Sequence, residues 1–266
     1  MLFTLQRPFC CHAFEESCQW QVIVTREEKM RRILLMIWKN IWNVPRWMIQ
    51  LFQYADEKDT HTELEKYQFL RKITIHANRG GRVTIESSGQ ENIPEEDGFI
   101  IFPNHQGLFD VLAFIESCDH PFSVVMKKEV ANIPFLKQVF AILDAKAIDR
   151  KNVRQGMQVI LDVSEEVKAG RNYIIFAEGT RSKEGNIVQE FKGGSFKAAM
   201  RAKCPIIPAA IIDAFKPFDT HSTDHVKVQV HYLKPLYYEQ YKNMKSTEIA
   251  AYVKEQIQED INNSIE

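Results

Sequence analysis

The chain has 266 residues, 45% of them apolar and 26% charged, which excludes a disordered, collagen-like or disulfide-scaffold protein and suits one α/β domain with a small appendage. Lys plus Arg number 34 against 35 Asp plus Glu, a formal net charge of −1, so general nucleic-acid binding through a basic field is disfavoured and any cationic patch must be local. The five cysteines, Cys10, Cys11, Cys18, Cys118 and Cys204, are odd in number and form no CxxC pair, which suits a reducing compartment and argues against a zinc site.

Residues 1–29 show neither helical nor strand periodicity and hold three of the cysteines. Met30 is followed at once by Arg31, Arg32 and a periodic apolar segment, so 1–29 reads as an unstructured or mis-started extension. Arg7, Pro8, His12, Glu15 and Glu16 interrupt any secretory signal. The apolar run Ile33–Trp38 is far short of the ~18 residues that a transmembrane span needs.

From Lys29 to Tyr54 there are five basic residues, no acid, and Trp38, Trp42 and Trp47. On a helical wheel Arg32, Lys39 and Asn43 share a narrow face, with Leu34, Ile37, Trp38 and Ile41 opposite. Pro45 suits the first turn of a second short helix over Arg46–Tyr54. The expectation for 30–55 is a basic, Trp-rich amphipathic hairpin at an anionic membrane surface; the alternative is an arm packed on the domain's own core.

Residues 56–71 are highly charged and read as a connector, followed by an α/β domain over 72–266. Its expected strands are Lys72–Ala77, Arg82–Glu86, Phe99–Phe102, Phe122–Met126, Lys146–Ile148, Tyr173–Phe176, Ile206–Ile212 and Val226–Leu233. Helical patterns cover Leu108–Cys118, Ile133–Leu143, Val153–Ala169, Gly194–Ala202 and a C-terminal Ser246–Ile261, with Gly170 as a left-handed cap. Strand–helix alternation implies a mixed, largely parallel central sheet with flanking helices.

Four polar clusters follow expected strands, where open α/β sheets bind ligands. After Phe99–Phe102 comes Asn104, His105, Gln106, Gly107, Leu108, Phe109, Asp110. Gly107 lets the chain turn so that Asp110 can accept the His105 Nδ1 hydrogen bond, leaving Nε2 outward as a general base. The plainer reading is a helix N-terminus with an ordinary loop histidine. After Tyr173–Phe176 come Glu178, Gly179, Thr180, Arg181 and Ser182, with Arg181 able to bind a phosphate through two parallel bonds or merely to pair with Glu178. Arg150 follows the strand at 146–148, and Lys127 with Lys128 follow that at 122–126. In a parallel sheet these cations share one rim.

Other motifs count for less. Phe191–Lys197 places a glycine pair before a helix but lacks P-loop spacing, so nucleotide binding does not follow. No GxSxG elbow supplies a serine nucleophile. His221 and His225 lie in a turn-like segment and make a weak zinc pair.

Together, NHQGLFD (104–110), AIDR (147–150), FAEGTRS (176–182) and PIIPAAI with Pro208 resemble the four ordered motifs of the glycerolipid acyltransferase family. The length, the basic hairpin and KGGSFKAA (192–199) are most similar to its 1-acyl-sn-glycerol-3-phosphate acyltransferase branch, the PlsC-like lysophosphatidic acid acyltransferases. The resemblance implies acyl transfer from acyl-ACP or acyl-CoA to lysophosphatidic acid, giving phosphatidic acid, at the cytoplasmic face of the cell membrane. It implies a peripheral or monotopic enzyme without cofactor, metal or nucleic-acid partner. Carried over, His105 is the base and Asp110 its partner. Asn104, Glu178, Gly179, Thr180 and Arg181 belong to the substrate-binding set, with Arg150, Lys127 and Lys128 as further phosphate ligands and Pro208 shaping the site. Ala177 stands where the family usually has Pro. Asp144, Lys146 and Ala147 stand where its second motif usually has Gly, an aliphatic residue and an aromatic residue.

The chemistry suits that implication. A thioester's thiol leaving group has a pKa of about 8.5, so a hydroxyl deprotonated as it attacks can displace it without metal or acyl-enzyme. Backbone N–H groups near the helix after His105 are the expected oxyanion stabiliser. The rival readings are the same chemistry on glycerol 3-phosphate or another lysolipid, and a non-catalytic protein that binds anionic lipid at the membrane surface.

Overall fold

A computed structural model describes residues 31–56, 60–131, 136–220 and 222–265. The expected extension over 1–29, with its start at Met30, lies outside the described residues. The chain opens on helix α1 (31–39) and, after a turn, α2 (Val44–Asp56), so the hairpin expected over 30–55 is two helices.

One expectation is overturned next. The connector at 56–71 and the strand at Lys72–Ala77 give way to a long helix, α3 (Glu63–Gly80), opened by a capping box between Thr62 and Glu65. The alternation in KITIHA looks like a strand only in a short window. Over the full segment Lys66, Tyr67, Leu70, Ile73, Thr74 and Asn78 are buried at helical spacing, and the 3.6-residue period prevails.

Beyond α3 the elements alternate: β1 (Val83–Ser88), β2 (Ile100–Pro103), α4 (Phe109–Ser117), β3 (Ser123–Lys127), α5 (Leu136–Ile142), β4 (Lys146–Ile148), α6 (Val153–Lys168), β5 (Tyr173–Ile174), α7 (Gly193–Ala202), β6 (Ile206–Ile212), a short α8 (Lys216–Asp219), β7 (Val226–Tyr232), a short α9 (Tyr238–Tyr241) and α10 (Ser246–Ile265). The start expected for α5 at Ile133 falls outside the described residues. Gly170 has φ +93° and ends α6 as a left-handed cap.

The strands form a seven-stranded sheet in the order β1-β7-β6-β2-β5-β3-β4. Pairing is parallel everywhere except between β6 and β7. Both faces are covered, which is why β6 reads IIPAAII without a polar break. Alternate β6 side chains feed two cores. Ile207, Ala209 and Ile211 join Leu70, Phe109 and Phe114 on the α2–α5 face, while Ile206, Ala210 and Ile212 join Val163, Phe196 and Val253 on the α6, α7 and α10 face. The C-terminal ends of β2, β5, β3 and β4 therefore share one rim.

The hairpin is amphipathic in the sense opposite to a surface helix of a soluble protein. Arg32, expected on an exposed basic face, is 1% exposed and packs inward. Its guanidinium donates to the carbonyls of Gly81 (2.7 Å), Asp224 (3.0 Å) and Ser222 (2.6 Å). Burial lowers its pKa without unseating the charge from these three acceptors. Asn40 likewise turns in, onto Met36 O and His76 O. Left outward are Ile33, Leu34, Ile37, Trp38, Ile41 and Trp42, with Trp42 93% and Trp38 71% exposed. No helix among the described residues is long and apolar enough to cross a membrane.

Candidate active site

Where β2 leaves the sheet at Pro103, the chain turns sharply into α4, and Asn104 closes the gap. Its amide donates to Ile211 O (2.9 Å) and its oxygen accepts from Ile211 N (2.7 Å), continuing the β2–β6 ladder with a side chain. Asn104 is 2% exposed, so it is directed into the sheet and away from the open rim where substrate contact was expected.

The next residue is the base expected from the sequence. His105 Nδ1 lies 2.7 Å from Asp110 Oδ2. Asp110 is fully buried at the first turn of α4 and also accepts from the main-chain N–H of Gln106 (2.7 Å) and of Gly107 (3.0 Å). A carboxylate only accepts hydrogen bonds, so this bond puts the His105 N–H on Nδ1. The Nε2 atom makes no hydrogen bond among the described residues, and the ring, 22% exposed, lies 4.4 Å from that of Phe176. The amides of Gln106 and Gly107, two of the N–H groups near the start of α4, are already held by Asp110.

The segment after β5 meets this turn from the other side. Glu178 Oε1 accepts from the main-chain N–H of His105 at 2.8 Å, and the Ser182 N–H donates to the His105 carbonyl, also at 2.8 Å. Glu178 is only 3% exposed, and its Oε2 makes no hydrogen bond of ordinary geometry among the described residues. Burial pushes this carboxyl up to about 7, against the downward pull of the His105 amide and charge and of the Gln189 main chain. Gly179, with φ +71°, makes the turn that returns the chain to the rim, and a Cβ there would lie 2.7 Å from Lys192 Nζ.

Thr180 and Arg181 are exposed on the rim. Arg181 Nη1 stands 3.6 Å from Asp219 Oδ2, and the same carboxylate is 3.5 Å from where a Gly107 Cβ would be. Arg181 is thus brought beside the His105–Asp110 turn. Lys127, Lys128 and Arg150 are exposed on the same rim but farther along it. At about 4.8 Å per strand, the β3 end starts roughly 10 Å from that of β2 and the β4 end roughly 14 Å. Pro208 is buried inside β6 opposite Phe102, one layer below the rim.

Several contributors were not visible in the sequence. Gln106 is buried and bridges two elements, accepting from Ala214 N (2.7 Å) and donating to Asn186 Oδ1 (2.7 Å). Asn186 in turn binds Asp213. Asp219, from α8, is the carboxylate that faces Arg181. A Gln or Asn partnered across 80 residues leaves no local pattern, so nothing short of the fold could have found them. The departures near Arg150 also find partners. Asp144 binds Arg171 at 2.5 Å and Lys146 binds Glu166 at 2.6 Å, with Arg171 also on Glu166 and the Tyr173 hydroxyl donating to Glu166.

Comparison with known proteins agrees with this geometry. Residues 84–212, from β1 through β6, match the Acyltransferase family model. A 1-acyl-sn-glycerol-3-phosphate acyltransferase of Borreliella burgdorferi is 31% identical over 129 residues, 48% of this chain and 51% of that protein. One of Escherichia coli is 31% identical over 163 residues, 61% of this chain and 66% of that protein. The chain thus spans about half to two thirds of the length of the curated relatives it matches. In fold it is similar to the crystal structure of the 1-acyl-sn-glycerophosphate (LPA) acyltransferase PlsC from Thermotoga maritima, with a TM-score of 0.67 over 89% of this chain and 97% of that one at 21% identity. The histidine–aspartate pair at the end of β2 lies inside the matched region, and residues 84–212 are an acyltransferase-family domain.

Proposed function

We propose that the protein transfers a fatty acyl group from an acyl thioester, acyl-ACP or acyl-CoA, to the sn-2 hydroxyl of 1-acyl-sn-glycerol 3-phosphate, forming phosphatidic acid. The observation that carries the reading is the 2.7 Å bond between His105 Nδ1 and the buried Asp110, which leaves Nε2 free at the rim. Nε2 takes the proton of the acceptor hydroxyl as its oxygen attacks the thioester carbonyl, with Asp110 stabilising the imidazolium that forms. The tetrahedral intermediate expels the thiolate, which recovers the proton from Nε2. No acyl-enzyme is needed, and the reaction balances without a further reactant.

Arg181, with Thr180 on the same turn, receives the phosphomonoester, whose charge of about −1.5 to −2 favours a guanidinium. Lys127, Lys128 and Arg150 extend the cationic wall outward. The inverted hairpin supports a membrane-surface location at the cytoplasmic leaflet. Ile33, Leu34, Ile37, Trp38, Ile41 and Trp42 are exposed, whereas the polar Arg32 and Asn40 are buried, a costly arrangement in water and a favourable one against lipid.

Purified protein given lysophosphatidic acid with either carrier should yield phosphatidic acid by mass spectrometry. His105→Ala should lower turnover at least about 10³-fold with the fold intact by circular dichroism. Substantial turnover in that variant would refute the mechanism, and equal use of glycerol 3-phosphate would move the acceptor to the smaller substrate.

A further inference from the structure

Glu178 occupies a position that substrate binding does not explain. Its side chain is 3% exposed, which leaves a phosphate no approach, and a carboxylate beside a phosphomonoester would repel it. One oxygen is engaged by the main chain of His105, and the other is buried and makes no hydrogen bond of ordinary geometry among the described residues, with the Gln189 main chain as a weakly placed donor. Burying an acid with a poorly paired oxygen costs stability, and a neutral side chain of similar size would fill the space at lower cost. The acid is therefore retained for something other than packing.

We propose that Glu178 is a positioning residue: it holds the His105 main chain at the height from which the imidazole reaches the acceptor hydroxyl, and it does not touch the lysolipid. The inference rests on the reading of His105 as general base and deepens it. Two carboxylates then serve one histidine, Asp110 fixing the ring and Glu178 the backbone. Ser182, four residues past Glu178, completes the clamp by donating to the His105 carbonyl, so one short segment grips both main-chain polar groups of that residue. The sequence EGTRS thus divides into grip (Glu178, Ser182) and reach (Thr180, Arg181), with Gly179 turning the chain between them.

The grip depends on pH. The groups that face Glu178 from the β2–α4 turn are His105 and Asp110; Lys192, before α7, lies against neighbouring Gly179, and Arg181 on its own loop is turned to Asp219. With the carboxyl pushed up to about 7, acidification neutralises Glu178 and weakens its charge-assisted bond to the His105 amide. The acid limb of the kcat profile in the intact enzyme should then be steeper than in a variant whose residue 178 cannot ionise.

Glu178→Ala should lower kcat about 10²-fold and leave the KM for lysophosphatidic acid within about twofold. Glu178→Gln keeps an acceptor oxygen, so its loss should be nearer about tenfold, and its acid limb should fall with the slope of one proton. A raised acceptor KM at unchanged kcat in either variant would overturn the proposal in favour of substrate binding, as would an acid limb in Glu178→Gln identical to that of the wild type. A second readout needs no turnover. In full-length His105→Ala, which removes the imidazole but keeps the residue-105 amide, the 1H–15N signal of that amide should move as pH crosses the neutral range. Adding Glu178→Gln should abolish that movement. An amide that does not respond to Glu178 would sink the clamp whatever the acceptor is, whereas a responsive amide in an enzyme inactive on lysophosphatidic acid would fault only the choice of acceptor. If Glu178→Ala does not fold, the glutamine variant and the amide titration decide.

Discussion

The two ends of the catalytic rim are built on opposite principles. At the β2–β5 end His105, Asp110, Glu178 and Ser182 are bonded to one another or to the intervening main chain, and three of the four are nine-tenths buried or more. At the β3–β4 end Lys127, Lys128 and Arg150 stand in solvent. Lys127 pairs loosely with exposed Glu129 at 3.2 Å, and Lys128 and Arg150 have no ion pair among the described residues. The difference follows from what each end must do. Under the proposed function, proton transfer fails when a donor and acceptor are misplaced by an ångström, so a base at His105 is locked before substrate arrives. A phosphate is recognised by charge over longer reach, and flexible cations can converge on it when it comes.

The sharpest way to break this contrast is at the closed end. Asp110→Asn keeps the shape but offers one acceptor oxygen where the carboxylate serves His105, Gln106 and Gly107. The amide nitrogen would face a donor, the His105 tautomer would no longer be fixed, and kcat should fall about 10³-fold with KM nearly unchanged. Steady-state kinetics alongside circular dichroism checks this. A loss below tenfold would mean that the locked end is no more demanding than the open one.

The closed end was also the more legible one in part. The His105–Asp110 pair could be read because both partners lie within one turn, where spacing limits geometry. Strands β2 and β6 could be read because each apolar run is short and bounded. The structural roles of Glu178, Asn104, Gln106 and Arg32 could not be, because their partners lie from 49 to 192 positions away and a hydrogen bond to a remote main-chain atom imposes no residue type there. The strand misread over 72–77 has a different cause: a local two-residue alternation inside a longer helical period.

Within the open part of the rim the contrast predicts a gradient with distance from His105. Arg181→Ala removes a charge-assisted contact beside the base and should raise the KM for lysophosphatidic acid about 30-fold while leaving that for the thioester nearly constant. Arg150→Ala acts roughly 14 Å away along the sheet and should raise it about threefold at most. Measuring both variants against both substrates tests the order. If Arg150 proves the stronger, the loop after β4 folds over the site when lipid binds and the simple strand spacing does not set the reach.

The smallest effect on turnover should come from the hairpin, where the comparison extends to the whole molecule. Arg32 ties α1 to the carbonyls of residues 81, 222 and 224, so the hairpin is anchored by polar bonds on its inner side and leaves its apolar side free. Replacing exposed Trp38 and Trp42 by Ser removes area from that free side without touching the anchor. Partition onto vesicles with an anionic phospholipid should weaken at least about tenfold, while kcat on a detergent-dispersed acceptor stays close to that of the wild type. Co-sedimentation separates the outcomes. Unchanged partition would mean that the exposed tryptophans meet something other than lipid, and a matching loss of detergent activity would mean that the hairpin supports the site's geometry through Arg32 and the 222–224 turn.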